Sequence, residues 1–155
     1  MASKFFERRS IRNQLKIYLE TKNWLNLVWA EGFNNEVNME TILPPFISII
    51  LDDLGRQELE MGPAFNENTM FSRRAQINVY MESEDRVNAI TDDISDFLDL
   101  EVIVIKDNNN NSLGTMLSDT ESIVSDSPLP TFGEVTNLLW EGIATCTYEA
   151  HYPNG

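Results

Sequence analysis

The hydrophobic period of this chain changes abruptly at Met81, and this change constrains the fold more than any other feature. Apolar residues from Met70 to Met81 alternate with polar ones, which is typical of a strand with one buried face. From Ser83 onwards the apolar residues recur every three to four positions, and Glu84 and Asp85 occupy the first turn. This pattern predicts an amphipathic helix that begins at a serine cap. A strand that leads directly into a helix requires a domain that mixes α and β structure.

A second helix and several strands are predicted around this pair. Ile11, Leu15 and Leu19 recur at helical spacing, which predicts a helix over residues 3–22. Residues 46–51 form a short apolar, β-branched run that predicts a buried strand. Further strands are predicted at residues 24–29, 56–61, 102–105 and 138–150, and a turn at residues 52–55. This order predicts an α+β fold, a mainly antiparallel twisted sheet with two helices packed on one face.

The length of 155 residues fits a single domain over residues 1–155. Residues 107–133 show no sustained periodicity and contain a run of four asparagines. We therefore predict a long insertion loop there, and loops above about 15 residues in compact domains are usually functional or disordered. Scattered apolar residues in this segment are candidates for contact with another chain: Leu113, Met116, Leu117, Ile123 and Val124.

Charge is distributed very unevenly along the chain. The first 22 residues hold six basic and two acidic side chains, whereas the rest hold five basic and 23 acidic ones, for a net charge of −14. Four cations recur at i+4 steps and form one basic ridge on the first helix, which is either a solvated face or a contact for an acidic surface. The ridge consists of Lys4, Arg8, Arg12 and Lys16, and the second helix has an acidic face of Asp92, Asp93, Asp96 and Asp99.

The residues that usually carry chemistry form no catalytic or metal-binding pattern. The single histidine, His151, lies four residues from the C-terminus, where a frayed tail is expected. The single cysteine, Cys146, falls in the last alternating strand and is predicted to be buried and structural. Residues 107–111 begin like a calcium loop, but Ser112 and Ser118 replace the required glycine and glutamate. We therefore predict no enzyme, no cofactor and no metal site.

Composition also bounds the location of the protein. One cysteine excludes an internal disulfide, and no apolar run approaches the ~20 residues that span a bilayer. The N-terminus carries charges where a signal peptide would be apolar. These features predict a soluble, intracellular protein, and the acidic balance argues against a general nucleic-acid clamp because phosphates would be repelled.

The order of these elements is similar to that of the tail terminator proteins of tailed bacteriophages, also called tail-completion or head–tail joining proteins. The resemblance extends from about Ile11 to Tyr148. In that family an N-terminal helix precedes a hairpin, a strand with an aromatic end leads through a Ser/Glu/Asp turn into a second helix, and a Trp-x-Gly strand ends the domain. The corresponding segments here are residues 45–51, 74–80, 83–94 and 140–148.

The resemblance implies a hexameric ring that caps the tail tube, ends its polymerisation and joins the tail to the head connector. The implied partners are other copies of the chain, the tail tube protein, a head-side connector or neck protein and a tail sheath protein. DNA would pass through the ring without specific binding, because an acidic lumen repels phosphates. The implied location is the virion tail or neck, assembled in the host bacterial cytoplasm. The candidate contact residues on α-helical structure are those of the basic ridge together with Phe5. No membrane partner is expected.

Three other functions remain open from the sequence. A different neck or head-completion ring protein would share the ring but not the contact with the tube. An acidic DNA mimic would use the acidic face of the second helix to inhibit a nucleic-acid enzyme, and its binding would be strongly salt-dependent. A carboxylate-metal hydrolase would require Asp52, Asp53 and either Asp85 or Asp92 to converge, and we do not expect it to bind divalent metal.

Overall fold

A computed structural model describes residues 4–29, 46–58, 69–100, 102–118, 123–130 and 138–153. These residues form two helices and seven strands. In chain order they are α1 (Lys4–Thr21), β1 (Val28–Trp29), β2 (Phe46–Glu58), β3 (Thr69–Met81), α2 (Glu84–Leu100), β4 (Ile103–Lys106), β5 (Ser112–Ser118), β6 (Ile123–Pro130) and β7 (Leu138–Tyr152).

The seven strands form one sheet with β3 and β7 at its centre. The strand order is β1-β2-β3-β7-β5-β4. The outer edge of β7 is shared, because β6 pairs with its first half from Leu138 to Thr145 and β5 pairs with its end from Tyr148 to His151. Only the short β1–β2 pairing is parallel among the described strands. The predicted α+β fold with a mainly antiparallel sheet is therefore confirmed.

Both helices pack on the same face of the sheet. Arg73 on β3 lies opposite Tyr148 on β7, so the two side chains share that face. Arg73 contacts Glu7 on α1, and the Tyr148 hydroxyl donates a hydrogen bond to the Leu98 carbonyl at the end of α2. The core lies between these layers, and its described apolar residues come from both helices and from β2, β3, β4, β5 and β7.

The predicted insertion loop is wrong for most of residues 107–133. Residues 107–111 form the tight turn of a β4–β5 hairpin, β5 follows at once, and β6 pairs with β7. Residues 119–122 and 131–133 lie outside the described part of the chain. Pro128 and Pro130 argued against a strand at β6 in the sequence. Proline is nevertheless tolerated in a strand that has a single strand partner, as β6 has among the described residues.

Three shorter predictions also need correction. The turn predicted at residues 52–55 is a β-bulge between Asp53 and Gly55, so β2 continues without a break to Glu58. Only the last two residues of the strand predicted at 24–29 are in a strand, because Asn23 and Asn26 adopt positive φ angles of 67° and 64°. His151 is paired within β7 rather than frayed.

Neither of the two described helices is long and apolar enough to cross a membrane.

The buried Tyr148 hydroxyl makes stability sensitive to high pH. Burial raises the pKa of Tyr148 well above its ordinary value, and electrostatic interactions with Cys146 and Asp99 raise this pKa further. The folded state therefore keeps a proton that the unfolded chain loses above about pH 10. We expect this to lower the free energy of unfolding by about 1.4 kcal/mol for each pH unit above that value. Urea unfolding at several alkaline pH values should show a shallower pH dependence in Tyr148→Phe, and an identical dependence would contradict this.

Candidate interaction surface

Helix α1 runs antiparallel to the continuous segment formed by the end of α2 and by β4. The Tyr18 and Phe97 rings lie 5.4 Å apart between the two helices. One turn earlier in α1, the Gln14 side chain donates to the Val104 carbonyl at 2.7 Å and accepts from the Val104 N–H. Earlier still, the Ser10 hydroxyl accepts from the Lys106 N–H at 3.1 Å. The N-terminal half of α1 therefore lies beside β4, and its C-terminal end lies beside α2.

These polar contacts also protect one edge of the sheet. β4 ends the sheet in the described chain, so the outer N–H and C=O groups of Val104 and the N–H of Lys106 have no strand partner. Gln14 and Ser10 supply hydrogen bonds to these groups in place of a neighbouring strand. Covering an edge in this way opposes strand addition by another chain. A partner is therefore more easily accommodated by the side chains of α1 than by the backbone of β4.

The position of α1 is fixed by a buried ion pair. The Glu7 carboxylate is fully buried and accepts two hydrogen bonds from Arg73, from Nε at 2.6 Å and from Nη2 at 3.3 Å. The Tyr152 hydroxyl donates to the same carboxylate, and the Arg73 guanidinium lies 4.7 Å from the centre of the Phe71 ring.

The basic ridge is divided between exposed and half-buried cations. Lys4 and Lys16 are exposed, whereas Arg8 and Arg12 are half-buried and engaged in contacts within the chain. Phe5, the candidate docking residue beside the ridge, is 59% exposed. The exposed members of this surface are available to a partner without any rearrangement of α1.

Three of the four predicted acidic-face residues on α2 are exposed. These are Asp92, Asp96 and Asp99. The fourth, Asp93, is half-buried and accepts a 2.7 Å hydrogen bond from the Trp24 indole N–H. The guanidinium of Arg86 lies 5.7 Å from the Trp24 ring, which completes this contact between α2 and the segment after α1. Asp93 therefore serves the packing of the chain and is not part of the free acidic surface.

The apolar candidates from the predicted loop do not form one surface. Met116 is fully buried in the core, so it is not available for contact with another chain. Leu113 packs against the core, whereas Leu117 is 55% exposed. Ile123 and Val124 lie on β6 opposite Thr145 and Ala144, and their side chains are outside the described part of the structure. Leu117 is the only one of the five with a described, exposed side chain.

A cleft that sequence patterns did not indicate lies between α1 and the β4–β5 turn. Its volume is about 420 Å³. Its polar lining includes Arg9, Asn13, Lys106, Asp107, Asn108 and Asn110. Arg9 lies off the i+4 ridge, and Lys106, Asn108 and Asn110 follow it by about 100 residues, so no local spacing connects the two sides of the cleft. The two cations outnumber the single carboxylate of the lining, and together with the amide groups they make the cleft suited to an anionic group.

No group of three or more His, Cys, Asp or Glu residues in the described segments is arranged to hold a metal ion. Asp52 and Asp53 both lie on β2, and their side chains are outside the described part of the structure.

Comparison of the sequence with protein-family models gives no match, and no curated protein matches it either.

Proposed function

We propose that the protein is a structural subunit of a homo-oligomeric ring of the tail-terminator type, with no enzymatic activity. The observation that carries this proposal is the separation of opposite charges within one helical layer. Cations cluster on the N-terminal half of α1 and at the end of β4, whereas exposed carboxylates lie along α2. Because α1 runs antiparallel to α2 and β4, the cationic half of α1 extends past the C-terminal end of α2.

Two different complementary patches are what a ring requires. A head-to-tail contact joins one patch of each subunit to the other patch of the next, and it closes into a ring when the rotation per subunit allows. A symmetric dimer would instead need one patch that is complementary to itself. The charge separation in this chain favours the head-to-tail arrangement.

The remaining features of the proposal come from the resemblance to tail terminators. The ring would be a hexamer that caps the tail tube, ends tube polymerisation and joins the head connector, within the virion tail or neck. Its partners would be the tail tube protein, the head-side connector or neck protein and the tail sheath protein. The acidic balance of the chain supports passage of DNA without specific binding.

Mass in solution provides the first test of this function. If the ring forms without tubes, light scattering after size exclusion should give six times the 17.7 kDa of one chain. Electron microscopy of tubes incubated with the protein should then show rings at tube ends and no further elongation. A protein that remains monomeric and leaves tube growth unchanged would contradict the proposal.

A second candidate, an acidic DNA mimic, is favoured by the exposed carboxylates of Asp92, Asp96 and Asp99 along α2. It differs from the ring in its expected behaviour. A mimic would act as a monomer or dimer and would inhibit a DNA-binding enzyme with strong dependence on salt. A discrete hexamer therefore argues against the mimic.

A further inference from the structure

The cleft between α1 and the β4–β5 turn has a cation held in a fixed position. The Arg9 guanidinium lies 5.2 Å from the centre of the Phe5 ring and 5.1 Å from that of Phe6. Its Nη1 donates to the Asn108 side-chain oxygen at 2.6 Å. These three neighbours restrict the rotamers of Arg9, so little further side-chain entropy is lost when it binds an anion.

No described carboxylate forms an ion pair with Arg9 or with the Lys106 ammonium group. The cleft lining contains one carboxylate, that of Asp107, and it is engaged in hydrogen bonds of the β4–β5 turn. Its carboxylate accepts hydrogen bonds from the backbone N–H groups of Asn109 and Asn111, at 2.8 and 2.9 Å. The hydrogen bond from the Asn111 backbone is the main reason that the pKa of Asp107 is lowered. The cleft therefore keeps an excess of positive charge and several amide donors for a ligand from outside the chain.

We propose that this cleft binds the carboxylates of Asp92 and Asp96 on α2 of a second copy of the chain. This inference rests on the proposed ring and identifies the contact that would build it. Asp92 and Asp96 are exposed, lie one turn apart on the same helix face, and have no described hydrogen-bond or ion-pair partner. Two carboxylates at that spacing are opposite in sign to the two cations of the cleft, Arg9 and Lys106.

The same chain cannot supply these carboxylates to its own cleft. Arg9 precedes Tyr18 by nine helical residues, which is roughly 13 Å along α1. Tyr18 is in turn the α1 residue that contacts Phe97, the neighbour of Asp96. The separation far exceeds the 4 Å of an ion pair, so the contact must join two copies. A nucleic acid is a weaker candidate occupant, because the net charge of −14 repels phosphates.

The cleft and the basic ridge are expected to contribute differently to assembly. Lys4 and Lys16 are exposed lysines without described partners, so they supply long-range attraction that salt screens. Arg9 is held in place within a cleft, where a carboxylate would be partly desolvated and bound by directed hydrogen bonds. Ridge charges should therefore mainly change the association rate, and cleft charges should change the affinity.

A charge-swap experiment on the full chain tests the inference. Self-association would be measured by sedimentation equilibrium for the wild type, for Arg9→Glu/Lys106→Glu and for Asp92→Lys/Asp96→Lys. We expect each double variant alone to weaken association about tenfold or more, which corresponds to about 1.4 kcal/mol. An equimolar mixture of the two should recover association, because alternating copies bring the reversed cleft of the first variant to the reversed α2 of the second and the native cleft of the second to the native α2 of the first. The quadruple variant should recover most of the affinity.

Three controls keep the outcome decisive. Lys22→Glu reverses one positive charge, as each cleft substitution does, but at an exposed position just after the C-terminal end of α1. It should leave association nearly unchanged. Arg9→Gln removes the charge without reversing it and should weaken association less than Arg9→Glu. Circular dichroism of every variant should match the wild type, so that a loss of association is not a loss of fold.

The possible results separate this inference from the proposed function. Association that is insensitive to Arg9→Glu/Lys106→Glu would overturn the cleft contact and leave the ring intact. Failure of the quadruple variant to recover would overturn the pairing with α2. A wild type that stays monomeric at all concentrations would also overturn the inference, and capping of tail tubes would then decide the proposed function separately.

Discussion

Replacing Arg73 with leucine is expected to lower the free energy of unfolding by about 3–5 kcal/mol. The substitution leaves the Glu7 carboxylate buried without its cation, and an uncompensated buried charge carries a cost of this size. Arg73 and Glu7 are 3% and 0% exposed, so water cannot replace the lost hydrogen bonds unless α1 separates from the sheet. The measurement is urea unfolding followed by circular dichroism, with a lower midpoint and an unchanged slope.

The adjacent arginine provides a matched control. Arg74 follows Arg73 on β3 but is exposed on the opposite face of the sheet, so Arg74→Leu should cost far less. The double variant Glu7→Leu/Arg73→Leu removes both charges and should be more stable than Arg73→Leu alone. Equal losses for Arg73→Leu and Arg74→Leu would contradict the role assigned to the buried pair.

The same ion pair shows where prediction from sequence reaches its limit. Alternation along residues 70–81 correctly predicted the strand, and the structure places Arg73 on its buried face. Its partner Glu7 lies 66 residues earlier, where it was counted only as an acid within a basic segment. Local periodicity determines which face a side chain occupies, but it does not determine which distant residue meets that side chain.

The two helices and the central strands were predictable because their burial is regular. Helix α1 and helix α2 each have an apolar stripe, and β3 and β7 alternate over most of their length. By contrast, β5 and β6 contain Gly, Ser and Pro and have little alternating pattern. Their pairing with β7 compensates for low intrinsic strand propensity, and such long-range compensation is absent from a local window.

The candidate site shows the same division. The i+4 spacing predicted the basic ridge, and the structure places Lys4 and Lys16 at the surface. The cleft was not predicted, because Arg9 meets Asn108 only through the packing of α1 against the β4–β5 hairpin. The composition of residues 107–111 suggested an incomplete calcium loop. Their actual role is a hairpin turn in which Asp107 binds backbone N–H groups and Asn110 adopts a φ of 65°.

The close approach of β5 to β7 at Gly114 leads to the second large expected effect. A Cβ atom at Gly114 would lie 2.1 Å from the carbonyl oxygen of His151 and 3.3 Å from the Cα of Tyr152. Both of these atoms belong to the backbone of a central strand, so they cannot move aside as a flexible side chain would. Gly114→Ala must therefore shift β5 away from β7, where Thr115 pairs with His151.

We expect Gly114→Ala to lower the free energy of unfolding by about 3 kcal/mol, at the upper end of overpacking costs. For a chain of this length that corresponds to a fall in Tm of roughly 6–12 °C. Differential scanning calorimetry provides the measurement, and Gly114→Val should be more destabilising still. The control is Thr115→Ala at the next position, which removes atoms from a half-buried side chain and should cost less than about 1 kcal/mol. A Gly114→Ala variant as stable as the wild type would show that β5 does not approach β7 this closely. Because the β4–β5 hairpin also holds Asn108 against Arg9, a displaced β5 should weaken self-association at temperatures where the variant is still folded.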